Sequence, residues 1–293
     1  MSTARRQDEA APGVAAPGQR GESPGGSAGA ARPGILTLTT DFGLGGPYVA
    51  ALKGVLLDLA PGTQLVDVCH TIAPQNILEG GFVLAGIVDV FPKGTVHLVV
   101  VDPGVGTDRR LIVVAAAGQW FVLPDNGLIT GVVRSRPPEG VWEITNPDLR
   151  RAVVSATFHG RDILAPAAAH LLRGGAPEQL GPPRDQFITL RNFEPNAAEQ
   201  GFVGEVIFRD AFGNLITNVN ADRLAAAPAD GWMIEIGGER IEGIVRTYGD
   251  RPTGTLIALF GSSGWVEIAV VNGDASERLS IGPGATVWLR RNR

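Results

Sequence analysis

From position 35 onward the chain alternates short β-branched runs with longer amphipathic ones, and this alternation constrains the fold more than any other feature. Strand-like runs occupy 35–40, 65–69, 96–101, 111–115 and 120–123. Between the first three lie stretches of helical periodicity at 48–59 and 77–91, the first closed by Ala60-Pro61-Gly62 and the second by Pro92. Strand, helix, strand, helix, strand predicts a mostly parallel α/β sheet, because parallel neighbours need a crossover long enough to hold a helix. A further helix is predicted over 162–172, where Pro166 fits only in the first turn or at a kink.

Past 173 the chain becomes rich in Gly and Pro, and 181–200 reads as a linker. Beyond it the period is almost wholly two, with runs at 203–208, 215–219, 233–236, 241–247, 256–260, 266–271 and 286–289 separated by Gly, Asn and Asp turns. The expected architecture is therefore an α/β sandwich domain over 33–180 and a smaller all-β, barrel-like domain over 201–293. Residues 1–32 hold almost no large apolar side chain and are expected to be a disordered tail.

Several function classes are disfavoured by composition. With 44% hydrophobic and 19% charged residues the remainder is a folded chain. The net charge of -5 argues against a nucleic-acid partner, which would meet a concentrated basic surface. Cys69 is the single cysteine, and four histidines provide no CxxC, HExxH or zinc set, so neither a disulfide nor a structural metal is expected. Every apolar stretch is broken well short of a membrane span, and no apolar segment follows Arg5 and Arg6, which together predict a cytoplasmic protein.

Ligands of open α/β sheets sit beyond the carboxyl ends of the strands. There the sequence places Thr39-Thr40-Asp41-Phe42-Gly43, Asp67-Val68-Cys69-His70 and Asp102-Pro103-Gly104-Val105-Gly106-Thr107. Asp41 suits two ribose hydroxyls, and equally a helix N-cap. Asp102 with Arg109 suits a small polar reactant, and equally a turn closed by an ion pair. His159, at the start of a helix, and His70, beside Asp67, are each either structural or catalytic; His97 and His170 fit structural positions. No GxGxxG or GxxxxGK[ST] pattern supports a phosphate cradle. In the second half, Asp210-Ala211-Phe212-Gly213-Asn214 and Gly261-Ser262-Ser263-Gly264-Trp265 are polar loops between strands.

Taken in order, Thr-Thr-Asp-Phe-Gly, Val-Asp-Val-Cys-His, Val-Asp-Pro-Gly-Val-Gly-Thr, Pro-Asp-Asn-Gly, Phe-His-Gly-Arg-Asp, Asp-Ala-Phe-Gly-Asn and Ser-Ser-Gly-Trp-Val-Glu resemble the S-adenosylmethionine (SAM) hydroxide adenosyltransferases, SAM hydrolases related to fluorinase and chlorinase. The resemblance implies a water-handling triad at Asp102, Arg109 and His159. It implies a substrate-binding set in which Asp41 takes the ribose, Asn214 the adenine, and Asp210 with Ser262 the methionine end, and which also includes Ser263, Glu267 and Val270. Gly46, Gln75 and Ser263 depart from fluorinase, where an acidic residue, a tryptophan and an arginine stand.

The resemblance further implies a homotrimer with sites between subunits, SAM as substrate rather than cofactor, adenosine as product, and no metal. The expected chemistry is in-line attack of water at the ribose C5′. A SAM:halide adenosyltransferase and a non-catalytic SAM or adenosine sensor are the alternatives, the first distinguished by a 5′-halo product and the second by binding without methionine release.

Overall fold

A computed structural model of the chain describes residues 34–225 and 228–291. The predicted tail at 1–32 lies outside the described residues. The N-terminal half is built from β1 (Ile35–Thr40), α1 (Tyr48–Leu59), β2 (Gln64–Cys69), α2 (Ile77–Ile87), β3 (Val96–Val100), β4 (Leu111–Ala116), β5 (Gln119–Pro124), α3 (Thr130–Ser135), β6 (Gly140–Glu143) and α4 (Ala165–Leu172). Its six strands lie in the order β2-β1-β3-β5-β4-β6. β1 runs parallel to β2 and β3, and β3 parallel to β5, while β4 is antiparallel to both its neighbours. This is the mixed, mostly parallel sheet that the alternation predicted.

Both faces of the sheet are covered, which is why the central strands read as continuous apolar runs rather than alternating ones. Leu36, Leu38, Leu98 and Val100 pack with Leu52 and Leu56 of α1 and with α4. Val99, Val101, Ile112 and Val114 pack on the other face with Leu84 of α2 and Val132 of α3. The tight β4–β5 connection places Ala117 and Gly118 at φ 56° and 68°, the paired left-handed residues of a two-residue hairpin.

The C-terminal half comprises β7 (Asn196–Ala198), β8 (Gly201–Arg209), β9 (Leu215–Asn220), α5 (Ala221–Leu224), β10 (Trp232–Ile236), β11 (Glu239–Glu242), β12 (Leu256–Phe260), β13 (Trp265–Val270), α6 (Ala275–Leu279) and β14 (Thr286–Arg291). The strands follow the order β11-β10-β14-β8-β9-β13-β12, with β7 paired to β8, and all pairings are antiparallel. Register shifts at Val206/Phe208 and Trp265/Glu267 let the sheet curl into a near-barrel. Trp232, Ile234, Ile268 and Leu289 fill its interior. Phe193, from the Gly- and Pro-rich stretch, stacks on Phe82 of α2 at 4.2 Å, and Trp265 meets Phe82 at 4.5 Å, joining the two halves through an aromatic contact.

Three expected elements end elsewhere than periodicity placed them. The strand predicted over 241–247 stops at Glu242, because Gly243 turns left-handed at φ 74°; Val245 then makes only an isolated parallel bridge to Leu259. The helix predicted to Phe91 is α-helical to Ile87 and tightens to a 3₁₀ turn over Val88–Val90. The helix predicted from Asp162 begins as a π-helical turn, Gly160–Leu164, and continues as α4 from Ala165, with Pro166 at the start of the α-helical part; the Asp162 carbonyl, which its missing N–H leaves without a helical partner, accepts the Arg151 N–H at 2.9 Å. Among the described residues no helix is long and apolar enough to cross a membrane.

His97 is fully buried on β3, its ring stacked on Phe121 at 4.9 Å, with Nδ1 2.7 Å from the Thr37 hydroxyl and Nε2 3.0 Å from Gln119 Oε1. Burial, against the hydrogen bond that the ring donates to Gln119 Oε1, pushes its pKa down to about 4. The unfolded chain therefore takes up a proton as pH falls below the ordinary histidine value, while the folded chain does not. That group's contribution is complete above pH ~6.5 and falls by roughly 3 kcal/mol as pH drops to about 4. Urea unfolding at pH 7 and pH 4.5 should show a smaller acid loss in His97→Asn than in the parent; equal losses would remove His97 from the acid response.

Candidate active site

The chain passes from β1 through α1 to β2 on one side of β1, and from β2 through α2 to β3 on the other. The strand order thus reverses between β1 and β3, and the crevice at their carboxyl ends is the switch point of the sheet. Asp41 follows β1 directly and Asp102 stands two residues past β3. The loop entering the π-helical turn, Thr157 to Gly160, forms the third wall of a small cleft of about 60 Å³ that Phe42, Val100 and Val105 complete. A Cβ at Gly160 would lie 3.1 Å from Val100 Cγ1, a tight contact that only a shift of the valine would relieve. Gly106, at φ 83°, is required, because a Cβ would fall 2.5 Å from the Ala156 carbonyl oxygen.

Arg109 organises this cleft. Its Nε donates to Asp102 Oδ1 at 2.6 Å and its Nη2 to Asp102 Oδ2, forming a two-pronged pair whose side chains are almost wholly shielded from solvent. Its Nη1 lies 3.1 Å from His159 Nδ1. A guanidinium can only donate, so His159 Nδ1 accepts, and the ring hydrogen sits on Nε2. Burial, then the Arg109 charge, lowers the His159 pKa, with the Asp102 carboxylate opposing. The imidazole is therefore held neutral, with Nδ1 occupied and an N–H at Nε2. It is placed to orient a ligand rather than to remove a proton.

Asp41 accepts the Gln75 backbone N–H at 2.8 Å on Oδ2, and its other oxygen takes no hydrogen bond among the described residues. Gln75 reaches this position in the left-handed region, at φ 66°. His70 is not part of the cleft wall. It bonds Thr40 and Asp67, and Asp67 in turn bonds Lys53.

The C-terminal candidates gather separately. Asp210 Oδ1 accepts the backbone N–H groups of Phe212 and Asn214 at 2.9 and 2.8 Å, and Oδ2 accepts the Asn214 side-chain amide at 2.9 Å. The turn needs Gly213, at φ 85°, where a Cβ would strike the Asp274 carboxylate. Nearby, Glu267 Oε2 accepts the Tyr248 hydroxyl at 2.8 Å, and the space above Gly261, which lacks a Cβ, is filled by the Glu267 carboxylate. Burial raises the Glu267 pKa, the Asp210 charge adding to it and the Tyr248 bond opposing. Burial and the Glu267 carboxylate push Tyr248 up to about 12.

Ser262 and Ser263 lie exposed in the turn between β12 and β13, while Val270 is buried at the end of β13. The structure thus brings Asp41, Asp102, Arg109 and His159 to one cleft, and Asp210, Asn214 and Glu267 to a second cluster; among the described residues no hydrogen bond joins the two sets. Tyr248 was missed from sequence because it follows the run at 241–247, read as a strand. Among the described residues no group of three or more His, Cys, Asp or Glu could hold a metal ion.

The SAM hydroxide adenosyltransferase N-terminal domain matches residues 36–181, and the corresponding C-terminal domain matches residues 204–288. The (R)-S-adenosyl-L-methionine hydrolase of Thermus thermophilus is 43% identical, over 85% of this chain and 97% of its own length. That of Methanocaldococcus jannaschii is 35% identical, over 84% of this chain and 92% of its own. A fluorinase from Nocardia brasiliensis is 28% identical over 64% of this chain and 71% of its own. The crystal structure of an uncharacterized conserved protein from Thermotoga maritima superposes with a TM-score of 0.80 at 37% identity, covering 88% of this chain and all of that one. With both domain families matched in order around the switch-point cleft, the chain belongs to the SAM hydroxide adenosyltransferase family.

Proposed function

We propose that this protein hydrolyses SAM to adenosine and L-methionine, water attacking the ribose C5′ in line with the departing sulfur. The observation that carries the reading is the Asp102–Arg109–His159 constellation in the switch-point cleft. Its relatives named as (R)-SAM hydrolases span nearly their full length with this chain, which supports the same reading. A C5′–O bond forms, the C5′–S bond breaks, and its electron pair returns to sulfur as the neutral thioether of methionine. A sulfonium leaves without protonation, so the demand falls on the nucleophile.

Two of the four lone-pair positions of Asp102 are taken by Arg109; the remaining ones can accept a hydrogen bond from water. The His159 Nε2–H can donate to the same water, leaving a lone pair to point at C5′. Such fixing contributes by proximity when the oxygen and carbon are held roughly 3–3.5 Å apart. The proton is released to solvent after attack. A carboxylate at the head of the cleft also repels an incoming halide, which favours water as the nucleophile.

Asp41 is proposed to hold the ribose hydroxyls. Asn214, its amide oriented by Asp210, is proposed to meet the adenine edge, while Asp210, Ser262, Ser263, Glu267 and Val270 provide the remaining contacts. The cleft of about 60 Å³ is far below the ~300 Å³ typical of sites for molecules this large. Exposed apolar Leu44, Tyr48, Val153 and Val154 stand near it in sequence to Asp41 and His159, and Phe212, 80% exposed, stands beside Asn214. These features support a homotrimer in which the cleft of one subunit is completed by the Asp210–Asn214 loop of the next.

Incubation with SAM in oxygen-18 water should place the label in the 5′-hydroxyl of adenosine; unlabelled adenosine or a 5′-halo product would overturn the reading. Asp102→Asn should lower kcat by about 10²–10³-fold with KM changed only a few-fold, a size typical of losing one oriented polar group; unchanged kcat would remove Asp102 from the chemistry. Co-refolded Asp102→Asn and Asn214→Ala chains should be more active than either variant alone if sites form between subunits. No recovery in a mixed trimer would place each site within one chain.

A further inference from the structure

We propose that the relay Lys53–Asp67–His70–Thr40 positions Asp41 for substrate binding, making Thr40 and His70 positioning residues. The inference rests on reading Asp41 as the ribose ligand. Thr40 ends β1 with its side chain fully buried, one residue before Asp41. Its hydroxyl lies 2.9 Å from His70 Nδ1, and the Phe42 backbone N–H donates to it at 3.3 Å. The far nitrogen of His70, Nε2, lies 3.0 Å from Asp67 Oδ1, and a carboxylate only accepts, so that nitrogen carries the hydrogen. Lys53 Nζ donates to Asp67 Oδ2 at 2.6 Å.

Every bond in this chain then has one direction: Phe42 N–H to Thr40, the Thr40 hydroxyl to His70, and His70 to Asp67, whose second oxygen is neutralised by Lys53. Burial would raise the Asp67 pKa, but the hydrogen bonds from Lys53 and His70, with the Lys53 charge, hold it below the ordinary aspartate range. A carboxylate that stays ionised keeps the ring orientation, and hence the hydroxyl orientation, fixed.

The relay ends at the cleft wall. The residues after Asp41 turn left-handed at Gly43, φ 73°, and again at Gly46, φ 106°, so this loop has little stiffness of its own. It is stitched to the segment after β2 at three points: Thr40 to His70, the Gly43 N–H to the His70 carbonyl at 2.7 Å, and the Gln75 N–H to Asp41 Oδ2 at 2.8 Å. His70 makes two of the three. Removing its imidazole, or the hydroxyl that ring grips, takes away the one stitch made between side chains, leaves Asp41 held by the Gly43 and Gln75 backbone N–H bonds, and lets the ribose site spread.

The test compares Thr40→Val, which keeps shape and removes the hydroxyl, with Thr40→Ser, which restores it. Thr40→Val should raise KM for SAM and the inhibition constant of adenosine together, by about tenfold, with kcat within about threefold of the parent. Thr40→Ser should return both constants to within about threefold of the parent. Unchanged constants in Thr40→Val, a loss confined to kcat or active fraction, or failure of Thr40→Ser to rescue would each overturn the proposal. Asp67→Asn, at the half-exposed end of the relay, should shift both constants in the same direction and serves if Thr40→Val does not fold; unchanged constants there would also overturn it. Asp41→Ala is the control. If it loses adenosine while the relay variants do not, the relay alone is wrong; if it binds adenosine like the parent, the ribose reading falls.

Discussion

The site depends on one guanidinium making hydrogen bonds in two directions. Arg109 reaches a carboxylate seven residues behind it and an imidazole fifty residues ahead. A lysine could not do this, because a point charge has no rigid fork to align two partners at fixed angles. The pair is nearly dry, so its desolvation is offset only while the geometry is kept, and removing one partner would leave an uncompensated buried charge. The surrounding glycines follow from this requirement. A Cβ at Gly104 would lie 2.9 Å from Arg109 Cδ and displace the arm that joins Asp102 to His159.

The loop that delivers His159 is secured by a second buried charge. Asp162 is fully buried in the π-helical turn, where it accepts from Arg161 on both oxygens, from Arg151 at 3.1 Å, and from the Ser155 backbone N–H at 2.9 Å. Burial would raise its pKa, but the bonds from Arg161, Ser155 and Arg151 hold it below the usual aspartate range. A π turn widens the helix and moves the residues before it relative to a regular α-helix. Here it sets Gly160 against β3 and His159 at Arg109, so the same irregularity that moved the helix start relative to the periodicity also places the catalytic candidate.

Much of this was legible in sequence where local physics decides the outcome. The strands at 35–40 and 256–260 and the helix at 48–59 match the observed bounds, because β-branched runs, amphipathic spacing and the Pro-Gly stop act within a few residues. The grouping of Asp102, Arg109 and His159 was available through the family resemblance, Asp102 being marked also by its place at a strand end, and the structure brings the three together. What long-range packing decides was hidden. β6 reads Gly-Val-Trp-Glu, too short for a period to register, and is a strand because β4 offers it an edge. Tyr248 carries no pattern of its own and joins the second cluster only because 243–250 folds back beside β12 and β13. His70 was ambiguous for the same reason, since its partner Thr40 is thirty residues away.

In the proposed reaction the two clusters would divide the labour of a SAM-cleaving site, one orienting a small nucleophile and the other offering paired carboxylates and an amide to the rest of the substrate. Arg109 locks His159 as a neutral ring with its hydrogen on Nε2. Nitrogen-15 NMR of the labelled histidine side chains tests it most directly. At neutral pH His159 should show an Nε2 shift typical of a protonated nitrogen and an Nδ1 shift typical of an acceptor, with that difference lost in Arg109→Met. A hydrogen on Nδ1, or a doubly protonated ring at neutral pH, would contradict it.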